Sequence, residues 1–321
     1  MNEVAVQSGG VPGKHEMWLA GGTTVVDLMK LGVLRTNGLV SLADRRKELS
    51  GIELVDGGVM LGAMTRMAEA ERHTIIRDRY PAVHLALALA ASPQIREMAT
   101  LGGNLLQRTR CSYFRDGRSA CNKRDPGTGC SAIGGDETGL AILGRSSQCI
   151  ASYPGDLAVA LTLMKGVVAA EGRDGNRKTL PIADLYCLPG ETPHIENRLE
   201  QGDLITEIRL PDHDWTGQSY VKLRDRASYA FASASAAVAV KLVDGCVVDA
   251  RIVLGGLSSI PWVCEQAVGM LIGQKFDDWL AVAAGDACFR NENVPTGHEY
   301  RAQLGARAVA RALMDACRRT R

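Results

Sequence analysis

Thr100-Leu101-Gly102-Gly103-Asn104-Leu105-Leu106-Gln107-Arg108-Thr109-Arg110-Cys111-Ser112-Tyr113-Phe114-Arg115 joins the two features that decide how this chain is to be read. Its first half is a glycine pair set between a threonine and an asparagine. Glycine lets the main chain approach a ligand closely, and Thr and Asn offer hydrogen bonds to polar oxygens. Its second half opens a segment holding four cysteines, Cys111, Cys121, Cys130 and Cys149, spaced C-x9-C-x8-C-x18-C. Turn formers crowd that segment (Asn122, Asp125-Pro126-Gly127, Gly129, Gly134-Gly135, Gly139), and apolar periodicity is weak. So long a loop with so little packing pattern calls for something to order it. Soft thiolates converging on iron would do so.

Other readings of the cysteines stand beside that one. Free cysteine is often a small buried hydrophobe, which suits Cys187, Cys246, Cys264, Cys288 and Cys317. It suits Cys121 and Cys130 poorly, because Asn, Lys, Arg, Gly and Pro surround them. Structural zinc favours close C-x2-4-C pairs, and none is present. Disulfides need an oxidising compartment. Spacing alone leaves iron–sulfur and zinc both open. The charges add weight to a cluster: Arg108, Arg110, Arg115, Arg118, Lys123 and Arg124 face only Asp116 and Asp125 here, and cations stabilise an anionic thiolate cluster.

Outward toward the N-terminus, Trp18-Leu19-Ala20 reads as a short strand running into Gly21-Gly22-Thr23-Thr24 and then a helical Val25–Lys30 that Thr24 could cap. A strand, a glycine turn and a helix start expose bare N–H groups to an anion. Two glycine loops suit a dinucleotide-sized ligand, although neither has the Gly-x-Gly-x-x-Gly spacing of a Rossmann turn. Residues 1–17 show no clear pattern. Ile52–Val55 and Val59–Leu61 form a hairpin across Asp56-Gly57-Gly58, 65–76 has helical spacing, and Ala82–Ala91 is a buried helix. Beyond the cysteines, Asp156 stands where it could cap a helix over Leu157–Met164. Val167–Glu171 and Lys178–Pro181 form a hairpin, 187–203 is a loop, and Leu204–Leu210 is a strand. The character changes near Pro211–Gln218. Three antiparallel strands (Ser219–Arg224, Ala232–Leu242, Val247–Leu254) then precede three helices (Pro261–Ile272, Asp277–Arg290, Tyr300–Cys317), an α+β unit.

With 321 residues, 46% of them hydrophobic, the chain has enough apolar surface for more than one core. Its net charge of +1 and 5% aromatic content give no reason to expect nucleic acid or an anionic membrane as partner. No apolar run approaches the roughly 20 residues of a membrane span. The start of the chain has no secretory pattern.

Ala20-Gly21-Gly22-Thr23-Thr24, Thr100-Leu101-Gly102-Gly103-Asn104-Leu105, Gly155-Asp156 and Val221-Lys222-Leu223-Arg224 together resemble the FAD-binding medium subunit of the xanthine oxidase family of molybdenum hydroxylases. The stretches Gln107–Arg115 and Cys121–Cys130 are similar to the inserted loop of the FAD subunit in bacterial aldehyde oxidoreductases of the periplasmic type, where it carries a 4Fe-4S cluster. The medium subunit of 4-hydroxybenzoyl-CoA reductase has a comparable insertion. The resemblance covers nearly the whole chain.

It implies an α+β fold: an FAD-binding domain of the vanillyl-alcohol-oxidase/p-cresol-methylhydroxylase type over 1–211, the iron–sulfur insertion at 107–150, and a C-terminal domain of three-stranded sheet and three helices over 215–321. It implies that Ala20, Gly21, Gly22, Thr23 and Thr24 hold the FAD pyrophosphate and ribityl chain, with Thr100, Gly103, Asn104 and Gln107 as a second cofactor loop. Asp156 matches a carboxylate on the adenosine side, Ile205 an apolar contact and Lys222 a lysine near the flavin ring. Cys111, Cys121, Cys130 and Cys149 match cluster ligands. No catalytic constellation is apparent among the scattered histidines, which suits a subunit whose cofactors carry the chemistry.

The implied function is electron transfer within a heterotrimer. A large subunit with the molybdenum cofactor oxidises an aldehyde, a small subunit with 2Fe-2S clusters relays electrons, and this chain passes them to an external acceptor. The compartment implied is the cytoplasm, or the periplasm by co-export with a partner bearing a twin-arginine signal. Reductase-type members and, outside enzymes, a zinc-stapled binding protein are the alternatives.

Overall fold

The computed structural model describes residues 4–318. The chain opens with β1 (Ala5–Ser8), β2 (Glu16–Leu19), α1 (Val25–Lys30) and β3 (Gly38–Ser41), which make a three-stranded parallel sheet in the order β1-β3-β2. Order in the first seventeen residues was not expected from their sequence. All four side chains of β1 are exposed, so the strand carries no apolar alternation, and pairing with β3 alone defines it. Thr24 does precede α1, but its side chain makes no capping bond.

Next come β4 (Ile52–Val55), β5 (Gly58–Gly62), and helices α2 (Met67–Arg72), α3 (Thr74–Arg79) and α4 (Pro81–Leu89). The helix expected over 65–76 is two helices, broken where His73 takes an extended conformation (φ −70, ψ 128). Pro81 sits at the start of α4, where its missing N–H costs nothing. Three short helical turns follow: α5 (Pro93–Arg96), α6 (Leu101–Leu105) and α7 (Ser112–Arg115). After the cysteine loop come α8 (Asp156–Leu163), β6 (Val167–Glu171), β7 (Arg177–Pro181), α9 (Ile182–Leu185) and β8 (Leu204–Pro211). The second sheet is antiparallel throughout, in the order β4-β5-β8-β6-β7. Its central strands present Val59, Leu61, Val168, Ile208 and Leu210 to α4 and α8, whose buried residues complete one core.

The third unit contains β9 (Gly217–Leu223), β10 (Ala234–Val243), β11 (Cys246–Gly255), β12 (Trp262–Val263), α10 (Glu265–Leu271), α11 (Asp278–Ala287) and α12 (Glu299–Arg318). The β10–β11 turn is Asp244-Gly245, with φ of +51 and +78, the left-handed pair a tight two-residue hairpin requires. The meander has a fourth strand: Trp262 and Val263, expected inside a helix, pair with β11 instead, and α10 starts only at Glu265. All three expected helices are present, and small residues (Ala281, Ala284, Ala308, Ala312) let α11 pack closely on α12, which lies on the sheet.

The cysteine loop departs most from expectation. Phe114, Ala132, Leu140 and Ile150 are buried with the cysteines in a small core of their own. Ile142 and Leu143 enter the core of the third unit, and Leu143 bridges Ser258 in parallel. Packing therefore orders much of this segment. The apolar residues are irregularly spaced, so no helical or strand period announces them.

A cofactor cleft beside a cysteine cluster

A cleft of about 760 Å³ lies between the first sheet, the α6 glycine turn and the 187–203 segment. Ala20, Gly21, Gly22, Thr23 and Thr24 all line it, as do Thr100, Gly103, Gln107 and Ile205. Gly21 is where the two glycine loops meet: a Cβ there would stand 2.0 Å from the Met98 carbonyl oxygen. Gly22 has φ +73. Thr100 caps α6, its hydroxyl accepting the Gly103 N–H at 3.2 Å. This glycine-lined cradle, with the Gly21–Thr24 main chain along its edge, fits a flavin dinucleotide in size, while the N–H groups of Leu101, Gly102, Gly103 and Asn104 are already given to acceptors within the protein.

Three of the expected residues stand apart from the cleft wall. Asn104 is not among the lining residues, although its Oδ1 is buried without a hydrogen-bond partner. Asp156 does not cap α8; Gly155 is the N-cap, and the Asp156 carboxylate accepts from Tyr220 Oη at 2.6 Å and from Lys222 Nζ at 2.8 Å. Burial pushes the Asp156 carboxyl up, and the Lys222 ammonium opposes that push. Asp156 and Lys222 thus hold one another behind the cleft.

Sequence reasoning missed several lining residues. Trp18 donates its indole N–H to the Gly202 carbonyl at 3.0 Å. Tyr153 and Tyr186 are buried, 2.9 Å apart at their hydroxyls, and both reach the Leu105 carbonyl at 3.0 Å. Glu196 approaches Arg108 and Lys123. Trp18 and Tyr153 lay beside motifs, just before Ala20-Gly21-Gly22 and Gly155-Asp156; the 187–203 segment has no apolar period to read.

The four loop cysteines gather on the far side of this wall. Cys111, Cys121 and Cys149 are buried, Cys130 is partly so, and all four share one cluster with Phe114 and Ile150. Cys121 and Cys130 face each other across an antiparallel bridge. Burial pushes the Cys111 thiol up to about 11, while N–H groups of Phe114 and Tyr113 pull it down. Burial also raises Cys149, against the Lys123 ammonium and the Ala151 N–H, which lies 3.5 Å from its sulfur. Among the described residues no three His, Cys, Asp or Glu side chains are gathered tightly enough to chelate a single ion.

Residues 5–213 match the FAD binding domain in molybdopterin dehydrogenase, and residues 219–316 match the CO dehydrogenase flavoprotein C-terminal domain. The chain belongs to the FAD-binding subunits of the molybdenum hydroxylases. It is similar to the aldehyde oxidoreductase FAD-binding subunit PaoB of Escherichia coli strain K12, 38% identical over 98% of this chain and 95% of that one. The carbon monoxide dehydrogenase medium chain of Afipia carboxidovorans is 27% identical over 92% and 86%. In fold it matches carbon monoxide dehydrogenase from Hydrogenophaga pseudoflava, with TM-score 0.74, 23% identity and 98% of both chains covered. As a molybdenum hydroxylase flavoprotein subunit it is a component of an oxidoreductase. That membership replaces the binding-protein alternative. No helix among the described residues is long and apolar enough to cross a membrane.

Proposed function

We propose that this chain is the FAD- and 4Fe-4S-carrying electron-transfer subunit of a heterotrimeric, molybdenum-dependent aldehyde oxidoreductase. It takes electrons from a 2Fe-2S small subunit and delivers them to an external acceptor, while a large molybdenum subunit oxidises the aldehyde. The kinship with PaoB supports the aldehyde and the partners. One structural observation carries the rest: Ala151 lines the cleft while its N–H points at Cys149 Sγ, so a single strand of backbone separates the flavin site from the cysteine cluster.

Within this reading Ala20–Thr24 and the α6 turn would hold FAD, which would supply electron transfer in ones or twos. The main-chain N–H groups of Gly21–Thr24 would orient its phosphates, the α6 turn, whose own N–H groups are bonded internally, would present Thr100 and Gln107, and Ile205 would exclude water. Cys111, Cys121, Cys130 and Cys149 hold the cluster. A cubane presents four irons at four separate corners, so its ligands converge without crowding one ion. The buried apolar surround and the N–H groups on sulfur fit an anionic cluster. The FAD-binding unit spans 1–211, with the insertion at 107–150, and the C-terminal unit spans 215–321. Export with a partner that bears a twin-arginine signal accounts for an oxidoreductase of this type in the periplasm.

The test is the purified complex with Cys121→Ser. Iron and sulfide should fall while the flavin absorbance stays. An unchanged iron and sulfide content removes the ligand assignment, and a wild-type chain without flavin removes the whole reading.

A further inference from the structure

The segment between Cys187 and Asp203 crosses the cleft as a strap. Its far end is held by Trp18, which donates to the Gly202 carbonyl, and by Gln201, which donates to the Lys14 carbonyl. Its crest is held differently. Glu196 receives Arg108 Nε at 2.6 Å and has Lys123 Nζ at 3.8 Å, and the same ammonium donates to the Pro193 carbonyl at 2.9 Å. Lys123 has only 9% of its side chain exposed and Glu196 21%. Both cations come from the cysteine segment: Arg108 stacks on Phe114 at 4.5 Å, inside the small core that holds the thiols, and Lys123 lies between Cys121 and Cys130.

The geometry points to Glu196 as a positioning residue, a charge latch that fastens the strap to the cysteine segment and so retains the flavin. This rests on the reading of the cleft as an FAD site. The latch makes a definite choice of sign. A carboxylate in a cleft that takes a diphosphate repels the ligand, and freeing Arg108 and Lys123 would by itself strengthen FAD binding. If the latch governs, its loss opens the strap and FAD leaves faster. If direct electrostatics governs, FAD leaves more slowly.

The experiment uses the full chain with its partner subunits and follows FAD release by the rise of flavin fluorescence after dilution. Glu196→Gln should release FAD about tenfold faster, as for loss of an interaction of about 1.4 kcal/mol. Arg108→Met should do much the same. The double variant should be no faster than the quicker single, because the Arg108–Glu196 bridge can be lost only once, and Glu196→Asp should recover part of the retention. Unchanged or slower release from Glu196→Gln, or additive effects in the double variant, overturns the latch. A wild-type chain that carries no FAD overturns the cleft assignment instead. The latch is then read from tryptic cleavage after the exposed Arg198, which Glu196→Gln should accelerate and which, if unaltered, disproves it.

Discussion

Lys222 Nζ lies 2.8 Å from Asp156 Oδ2, with only 1% and 6% of the two side chains exposed, and the pair joins β9 of the C-terminal unit to the first turn of α8 in the FAD-binding unit. Lys222 also donates to the Leu89 carbonyl near the end of α4, where a cation suits the helix dipole. The pair therefore fastens two helices and two units at one point.

Such a pair is costly to break from one side. Asp156→Asn leaves a buried ammonium without its counter-charge and should lower stability by about 3–5 kcal/mol. Lys222→Met should cost less, because burial already pushes the Asp156 carboxyl up and an unpaired Asp156 can take a proton and stay neutral. Asp156→Asn with Lys222→Met should recover part of the loss. Urea denaturation of the four proteins measures this; a double variant as unstable as the sum of the singles would show that the two do not act as a pair.

The two glycines of the first loop should separate cleanly. At Gly21 a methyl group meets the Met98 carbonyl oxygen at 2.0 Å, a main-chain atom that cannot move alone, so Gly21→Ala must push the two cofactor loops apart. At Gly22 the nearest atom is a flexible Val26 methyl at 3.5 Å, and the penalty is the left-handed φ alone, about 1–2 kcal/mol. Flavin absorbance per chain should collapse for Gly21→Ala and persist for Gly22→Ala. Equal flavin content in the two would mean that the loop contact has no part in binding.

How much of this was legible beforehand follows from what each residue signals. Asp244-Gly245 and Gly57 announce hairpins because the left-handed backbone there demands those residue types. The glycine loops are readable because close approach demands glycine: a Cβ at Gly21 would meet the Met98 carbonyl and one at Gly102 would meet Ala63. Glu196 meets Arg108, and Trp18 meets Gly202, across more than eighty residues of chain with no local pattern. Asp156 and Lys222, which the resemblance sets on the flavin's two sides, bond each other, a pairing that no spacing in the sequence encodes. The cysteine segment looked unpacked because its apolar residues serve two cores at once: Phe114 and Leu140 pack with the thiols, and Ile142 and Leu143 join the other unit.

That last docking is reinforced by one buried guanidinium. Arg301 of α12 donates to the carbonyls of Leu140, Ser233 and Gly256, so one guanidinium ties the cysteine segment to both ends of the β10–β11 hairpin. Burial pushes its pKa down, a sign of how far the charge is withdrawn from water. Arg301→Met leaves three carbonyls unmatched and should cost about 2–4 kcal/mol, with Arg301→Lys recovering little because an ammonium cannot span the fork. Hydrogen exchange should rise in the 137–143 segment more than in the 52–62 hairpin; a uniform rise would mean that Arg301 supports the fold generally and not this junction.

His213 supplies the pH dependence. Its Nε2 lies 2.7 Å from the Arg79 carbonyl and donates to it, while Nδ1 accepts the Trp215 N–H at 3.3 Å. Both ring nitrogens are thus committed to the neutral form: a second proton on Nδ1 would face an N–H donor. Burial lowers the His213 pKa, and the Arg79 guanidinium adds to that lowering. In the unfolded chain the imidazole takes its proton near pH 6.5, so between that value and the lower folded pKa the unfolded state binds more protons. The His213 contribution to stability is complete above about pH 6.5 and is lost as pH falls through the folded pKa. His213→Gln keeps a donor and an acceptor but cannot titrate. The difference in unfolding free energy between wild type and His213→Gln should therefore shrink as pH falls below about 6.5 and stay level above it. A difference that grows on acidification would mean that the folded protein prefers the charged ring, and the neutral state read from the Arg79 and Trp215 contacts would have to be given up.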